Sequence, residues 1–320
     1  MSTPAADFTC LEICAGAGGQ ALGLHNAGFC HTLLVEYERD YCACLKANMP
    51  QWEVLCEDVR RFDGSPYSGA VDLLAGGVPC PPFSLAGHQL GKDDERDLFP
   101  EMLRLAEEIR PKAVMIENVR GLMDSKFDAY RDDITGRLAS AGYNVHMKLL
   151  NSSDYGVSQL RPRVVIVGIR TDIEDTFCFP APCGQPEDLG TLLYDLMAEN
   201  GWEGACDWRD GARGIAPTLV GGSKKHGGPD LGPTRAKRAW AQLGIEGKSI
   251  ADAAPLPGFQ GMPRLTPRMM ARVQGFPDSW TFGKRKTTAC RMIGNAFPPP
   301  VAEAVGSQII KVLKENGDYN

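Results

Sequence analysis

Residues 8–36 read FTCLEICAGAGGQALGLHNAGFCHTLLVE, and the order of patterns in this stretch decides the fold. FTCLEIC is a short apolar run, AGAGGQALGLHNAG is a glycine turn that opens a helical pattern, and HTLLVE is a second apolar run. Strand, turn, helix and strand in that order make a βαβ unit. Outward from it, WEVL (52–55), VDLLAGG (71–77), KAVMIENV (112–119) and RVVIVGIR (163–170) read as further strands, and LFPEMLRLAEEIR (98–110) as a helix between two of them. Near-continuous apolar strands alternating with helices predict a parallel sheet covered on both faces. After about residue 172 strands become hard to find and Gly and Pro rise. Regularity returns with PRLTPRMMARVQGFP (263–277) and the helix PPVAEAVGSQIIKVLKE (299–315). The expected organisation is a large domain of residues 1–172 completed by 263–320, with a small domain of 173–262 inserted.

At 320 residues the chain can build its core without disulfide or metal staples. MSTPAADFTC has no basic start followed by an apolar run, and no apolar stretch reaches membrane length, so a cytoplasmic protein is expected. Eleven cysteines, an odd number without zinc-finger spacing, read as small buried thiols. The net charge of −6 hides an asymmetry: residues 204–291 carry 15 Lys/Arg against 6 Asp/Glu. GGSKKHGGPD, GPTRAKRAW and GKRKTTACR cluster within that segment. One basic run is ordinarily a solvated face; three together favour a polyanionic partner.

Gly16, Gly18 and Ala21 fit G-x-G-x-x-A, and Glu36 follows Gly16 at the distance suited to a ribose hydroxyl. Alone, this turn would serve a NAD enzyme, another nucleotide-binding domain or no ligand at all. Asp58, after the WEVL strand, adds a second carboxylate at a strand end, and no lysine follows the turn to meet phosphates. A ligand leading with ribose and adenine fits better, and S-adenosyl-L-methionine meets that description. In GGVPCPPFS (76–84), Cys80 follows the carboxyl end of another strand, the edge where doubly wound sheets bind ligands. A lone Cys beside proline is ordinarily structural, but AVMIENV brings Glu117 and Asn118 to the end of a buried strand, where an acid needs a partner or a task. QLRPRVVIVG places Gln159, Arg161 and Arg163 at the start of a strand.

The chain resembles the DNA (cytosine-5) methyltransferases. The resemblance rests on nine pieces in the family's order: AGAGG, VEY, EDV, PCPPFS, RDLF, ENV, Q-x-R-x-R (159–163), RLTPRMMARVQGFPDSW and GNAFPPPVA. It implies a mostly parallel, doubly wound mixed sheet of the class I adenosylmethionine-dependent methyltransferase type, with a small irregular target-recognition domain at 173–262. It also implies a monomer acting on double-stranded DNA, with the target cytosine flipped out of the helix. Cys80 would add to C6 of that cytosine, Glu117 would hold a proton at N3 and Arg163 would meet O2. By the family's motifs, the cofactor would be held by Cys14, Ala15, Gly16, Gly18, Gly19, Glu36, Tyr37, Asp58, Val59, Pro79, Leu98, Asn295 and Ala296. SLAGHQLGKDDERD (84–97) would be a loop closing over DNA, with Ser84 on a phosphate. Arg161 and the segment APTLVGGSKKHGG, through Thr218, Leu219, Gly221, Gly222, Lys224 and Lys225, would meet DNA together with Arg235 and Arg238. Their basic side chains point to a short G·C-rich site.

Three departures stand out: Cys14 replaces the Phe that usually lies on the adenine, Pro81 a Gln, and Val78 a frequent Pro. A tRNA methyltransferase of the same fold would carry a Cys-Phe-Thr signature, absent from residues 173–262. A NAD oxidoreductase would leave Cys80, Glu117 and the basic segment without a task, and a catalytically dead DNA-binding module would be expected to lose some of Cys80, Glu117 and Arg163.

Overall fold

The computed structural model describes residues 8–79, 97–221 and 229–316. In chain order its elements begin with β1 (Phe8–Ile13), α1 (Gly19–Ala27), β2 (Phe29–Glu36), α2 (Arg39–Asn48), β3 (Val54–Cys56), β4 (Leu73–Gly76), α3 (Phe99–Ile109), β5 (Ala113–Val119), α4 (Asp128–Ser140) and β6 (Tyr143–Asn151). There follow β7 (Gln159–Leu160), β8 (Pro162–Arg170), α5 (Leu189–Ala198), α6 (Ala205–Gly211), β9 (Ala216–Pro217), α7 (Thr234–Gln242), α8 (Pro267–Val273), α9 (Lys286–Asn295) and α10 (Pro299–Glu315). The chain divides into two units. The first is Met1–Leu150, Pro162–Ala181 and Ala302–Asn320; the second is Asn151–Arg161 and Pro182–Val301. Residues 263–301, read from sequence with the large domain, thus cluster with the segment that begins at residue 182.

The first unit is built on a seven-stranded sheet of order β3-β2-β1-β4-β5-β8-β6. Neighbours from β3 to β5 run parallel, and β8 lies antiparallel to β5. The chain leaves β1 for β2 on one side and returns to β4 on the other, so the strand order reverses between β1 and β4. That is the switch point where an α/β sheet opens a crevice at its carboxyl edge. The central strands are mostly apolar because both faces are covered: β4 is buried along its whole length and β5 up to Val119. In α3, Phe99, Met102, Leu103, Ala106 and Ile109 recur at helical spacing and turn one buried face to this core. Gly306 lets α10 approach α1 closely, since a Cβ there would stand 2.9 Å from Leu24 Cδ2.

One strand expectation needs correction, and one strand lies outside the apolar runs. β6, YNVHMKLLN, has His146, Lys148 and two asparagines interrupting its apolar pattern, as suits a half-exposed edge strand. Gln159, Arg161 and Arg163 do not share one strand. Gln159 and Leu160 pair in parallel with Ala216 and Pro217, and β8 starts afresh at Pro162.

In the second unit, tryptophans organise the core. Trp240 is fully buried, Trp208 Nε1 donates to Leu243 O at 3.2 Å, and Trp202 Nε1 donates to Phe259 O at 3.0 Å. A Cβ at Gly190 would stand 2.1 Å from Arg209 O, so α5 and α6 pack backbone against backbone. Among the described cysteines, Cys10, Cys42, Cys44 and Cys290 are buried, whereas Cys30, Cys56, Cys178, Cys183 and Cys206 are exposed. Core packing therefore accounts for only part of the cysteine content. No helix among the described residues is long and apolar enough to cross a membrane.

Candidate active site

At the carboxyl end of β1 the backbone turns sharply through Cys14 (φ 52°), Gly16 (φ 59°) and Gly18 (φ 86°), all in the left-handed region. Glycine adopts this region freely, while Cys14 pays a steric cost for it. The turn is closed by Gly18 N donating to Ala15 O at 3.1 Å, and Leu22 N donating to Gly18 O at 2.8 Å starts α1. Glu36, at the end of the adjacent β2, braces it: Oε2 accepts from Gly16 N and Oε1 from Glu38 N, each at 2.8 Å. Burial pushes the Glu36 carboxyl up, and the two amides partly offset this. Glu12, buried on β1 one residue before the strand ends, is pushed well above the usual carboxylate range by burial and then by Glu36. The reading of FTCLEIC as an apolar run assigned this acid no task.

Asp58 follows β3, and its neighbour Glu57 donates through N to Glu36 O at 3.0 Å. The Asp58 carboxylate caps the short turn Val59–Arg61, accepting from Arg60 N at 3.1 Å and pairing with Arg60 Nη1 at 3.0 Å, while Val59 is buried. Tyr37 is 68% exposed, leaving its ring available to a ligand face. On the other side of β1, Leu98 N donates to Pro79 O at 3.3 Å. Cys14 through Gly19, Glu36, Tyr37, Asp58, Val59, Pro79 and Leu98 therefore gather along the carboxyl edge of β3, β2, β1 and β4. This edge suits an adenosyl ligand: Glu36 braces a turn with no bulky side chain, Asp58 follows the next strand, and a Cβ at Gly16 would meet nothing nearer than Cys14 O at 4.0 Å. Burial and the surrounding carboxylates keep the Cys14 thiol protonated, and it packs against the core as a small apolar group.

The end of β4 carries the second part of the site. A Cβ at Gly76 would stand 2.9 Å from Ile13 Cγ1, and one at Gly77 would stand 3.3 Å from Glu117 Oε2, so the glycine pair lets this segment pass between β1 and the Glu117 carboxylate. Glu117, nearly buried on β5, forms an ion pair through Oε1 with Arg163 Nε at 2.8 Å. Arg163 Nη1 also donates to Pro162 O at 2.8 Å. Burial pulls the Arg163 guanidinium down and the Glu117 charge offsets it. Asn118, noted in sequence without a task, proves to be a brace: Nδ2 donates to Val78 O at 2.9 Å and Oδ1 accepts from Val119 N at 2.8 Å. It ties the end of β5 to the segment that leads into Cys80. Cys80 and Ser84 themselves lie outside the described residues.

In the second unit the expectations for DNA contact divide. Arg235 and Arg238 project from α7 into solvent one helical turn apart, while Lys237 pairs with Asp230 at 2.6 Å. Arg161 corrects its expectation. It is fully buried, and its guanidinium donates to the carbonyls of Leu219, Gly294 and Ala296 rather than facing a DNA groove. The Leu219 side chain is buried as well, so it too is withheld from base edges. Thr218 is half-buried, with Oγ1 donating to Leu160 O. Gly221 has an ordinary φ and serves close packing, since a Cβ there would stand 2.0 Å from Asn295 Oδ1. Asn295 is exposed at the end of α9 and Ala296 follows it, buried. Gly222, Lys224 and Lys225 lie outside the described residues.

The family described as C-5 cytosine-specific DNA methylase matches residues 8–311. The type II methyltransferase M.NgoMIV of Neisseria gonorrhoeae is 57% identical over 312 residues, covering 96% of this chain and 99% of that protein. The type II methyltransferase M.NaeI of Lentzea aerocolonigenes is 52% identical, with 96% of this chain and 76% of that protein covered. Among solved structures, the Dnmt2 methyltransferase of S. pombe superposes with a TM-score of 0.67 at 16% identity, covering 96% of this chain and 99% of that one.

Proposed function

The chain belongs to the C-5 cytosine-specific DNA methylase family and is a DNA (cytosine-5) methyltransferase, and from that premise we propose how its residues carry the reaction. The carboxyl edge of β3, β2, β1 and β4 takes S-adenosyl-L-methionine, with Glu36 on the ribose hydroxyls and Asp58 toward the adenine. When bound there, the cofactor supplies the methyl group. The target cytosine is flipped from the duplex, because stacking hides both faces of its C5–C6 bond.

The observation that carries the reading is the Glu117–Arg163 pair, tied through Asn118 to the segment entering Cys80. Cytosine C5 is a weak nucleophile. The Cys80 thiolate adds to C6, and the electron pair of the C5–C6 bond becomes available at C5 to accept the methyl group. Negative charge develops meanwhile over N3 and O2, where the Glu117 carboxyl supports N3 with a proton and the Arg163 guanidinium faces O2. Transfer of the C5 proton to water then returns its electron pair to the ring and expels Cys80 as thiolate, while the N3 proton goes back to the Glu117 carboxylate and the aromatic base is restored.

The second unit, with its basic segment, reads the site: Arg235 and Arg238 meet phosphates, and the segment running from Thr218 into Gly222, Lys224 and Lys225 reaches base edges. The near-complete overlap with type II methyltransferases supports a modification enzyme of a type II restriction-modification system.

A duplex carrying 5-fluorocytosine at the target tests the covalent step. Fluorine cannot leave C5 as a proton, so elimination stalls and an adduct stable to denaturation accumulates with the parent enzyme and is absent with Cys80→Ala. Undiminished adduct in that variant would reassign the nucleophile.

A further inference from the structure

Three side chains of the second unit, Gln159, Arg161 and Gln274, are completely buried and joined into one network. Arg161 Nη1 donates to Leu219 O at 2.8 Å, and Nη2 donates to Gly294 O at 2.8 Å and Ala296 O at 2.9 Å. Gln159 Oε1 accepts from Leu219 N at 2.8 Å, so both backbone groups of Leu219 are held. The Gln159 amide donates in turn to Gln274 Oε1 at 2.7 Å and Val273 O at 3.2 Å, and Gln274 Nε2 donates to Ala296 O. Two glycines complete the junction from the other side. A Cβ at Gly294 would stand 2.4 Å from Gly221 N, and neither glycine has the positive φ of a turn. Both therefore serve the close approach of the 219–221 backbone to the end of α9.

A guanidinium buried this deeply is costly unless acceptors meet its donors, and well-packed apolar residues commonly give equal or greater stability. A buried polar network whose terminal guanidinium nitrogens each meet carbonyls specifies one arrangement over its neighbours, because any slip strands a further buried donor. The arrangement specified here is the placement of Leu219–Gly221 on the carboxyl-terminal end of α9. We propose that Arg161, with Gln159 and Gln274, is a positioning residue for sequence readout: it fixes the Leu219–Gly221 backbone, so that the second unit meets base pairs in one register. The proposal rests on the reading of residues 218–222 as part of the recognition segment. It also explains why the Arg of Q-x-R that seemed placed for DNA faces inward. Its effect on DNA passes through the backbone it holds.

The test uses the full chain with Arg161→Lys, whose single ammonium cannot span the three carbonyls, and Gly221→Ala, which displaces the same segment from the opposite side. Initial rates are measured on the preferred duplex site and on each of its single-base-pair variants, at a temperature well below the unfolding transition. Both substitutions should cut the ratio of preferred to variant rates by roughly tenfold, about what one base contact carries. Affinity of Arg161→Lys for non-specific duplex should stay unchanged, since phosphate contacts do not pass through the network. A folded Arg161→Lys enzyme that loses rate equally at every site would overturn the proposal and leave Arg161 a core support. If that variant does not fold, the ratio in Gln159→Met, which removes a buried member of the network outside the recognition segment, decides alone. Transplanting residues 204–248 into a related enzyme of known site separates the two readings. A hybrid keeping the host's site removes the recognition reading and this proposal with it, whereas a transferred site with unchanged ratios in the point variants removes this proposal alone.

Discussion

Arg163 Nε stands 2.8 Å from Glu117 Oε1, both side chains almost wholly withdrawn from solvent at the paired ends of β8 and β5. A buried acid and a buried guanidinium in contact satisfy each other, and each becomes costly when the other is removed. Glu117→Gln should lower single-turnover methylation by about 10²–10⁴-fold, the span of a general acid, with DNA affinity nearly unchanged. Arg163→Ala should fall in a similar range. The double variant should lose less than the two losses combined, because the singles each strand a partner. Weakened affinity with unchanged turnover in Glu117→Gln would make the carboxylate a binding group.

Glu36 accepts from Gly16 N and Glu38 N with separate oxygens, so its position is fixed before any ribose arrives. Glu36→Gln keeps an acceptor for one amide and turns an NH₂ toward the other. Binding of S-adenosylhomocysteine in calorimetry should weaken by about tenfold to a hundredfold, the worth of a charge-assisted hydrogen bond. Unchanged affinity would move the ribose contact elsewhere.

Arg235 and Arg238 are exposed on one face of α7. If both meet phosphates, Arg235→Ala with Arg238→Ala should make the slope of log affinity against log salt less negative by roughly 1.8, about 0.9 per lost contact. Fluorescence anisotropy across a salt series reads this directly, and an unaltered slope would take α7 out of the interface.

His31 gives a pH signature independent of catalysis. It is buried against Trp52, with Nε2 at 2.8 Å from Ala21 O, and burial holds its pKa down from 6.5 to about 4. Between those values the unfolded chain binds a proton that the folded one does not, so stability rises with pH there and is lost on acidification from pH 6.5 toward 4. The loss attributable to His31 should reach on the order of 3 kcal/mol, at 1.36 kcal/mol per unit. Denaturant unfolding of the parent and His31→Gln should differ by a constant above pH 6.5. Below it the parent should lose stability relative to the variant, and parallel curves throughout would contradict the buried neutral ring.

Much of the first unit was legible because its signals are local. A strand buried on both faces must be apolar nearly throughout, so Leu73–Gly76 and Val164–Ile169 announce themselves. The glycine turn is equally plain, since a left-handed backbone at Gly16 and Gly18 selects its residue type. Glu117 could be found because an acid ending an apolar run needs a reason.

Arg161 and Arg163 show where this kind of reading stops. They are the same residue type two positions apart, yet one pairs with a carboxylate in the first unit and the other is spent on three backbone carbonyls in the second. Gly221 looked like a loop glycine and is a packing glycine against Asn295 and Gly294. What the sequence determined by itself was the parallel α/β sheet, the turn after β1 and the residue types needed for the chemistry, all of which follow from side-chain character and local backbone preference. Tertiary structure alone decided which arginine meets a carboxylate and which holds the chain together. The partners of Arg161 are carbonyls of residues 58 to 135 positions away, and a carbonyl is common to every residue, so it leaves no mark in the sequence that it will accept a hydrogen bond.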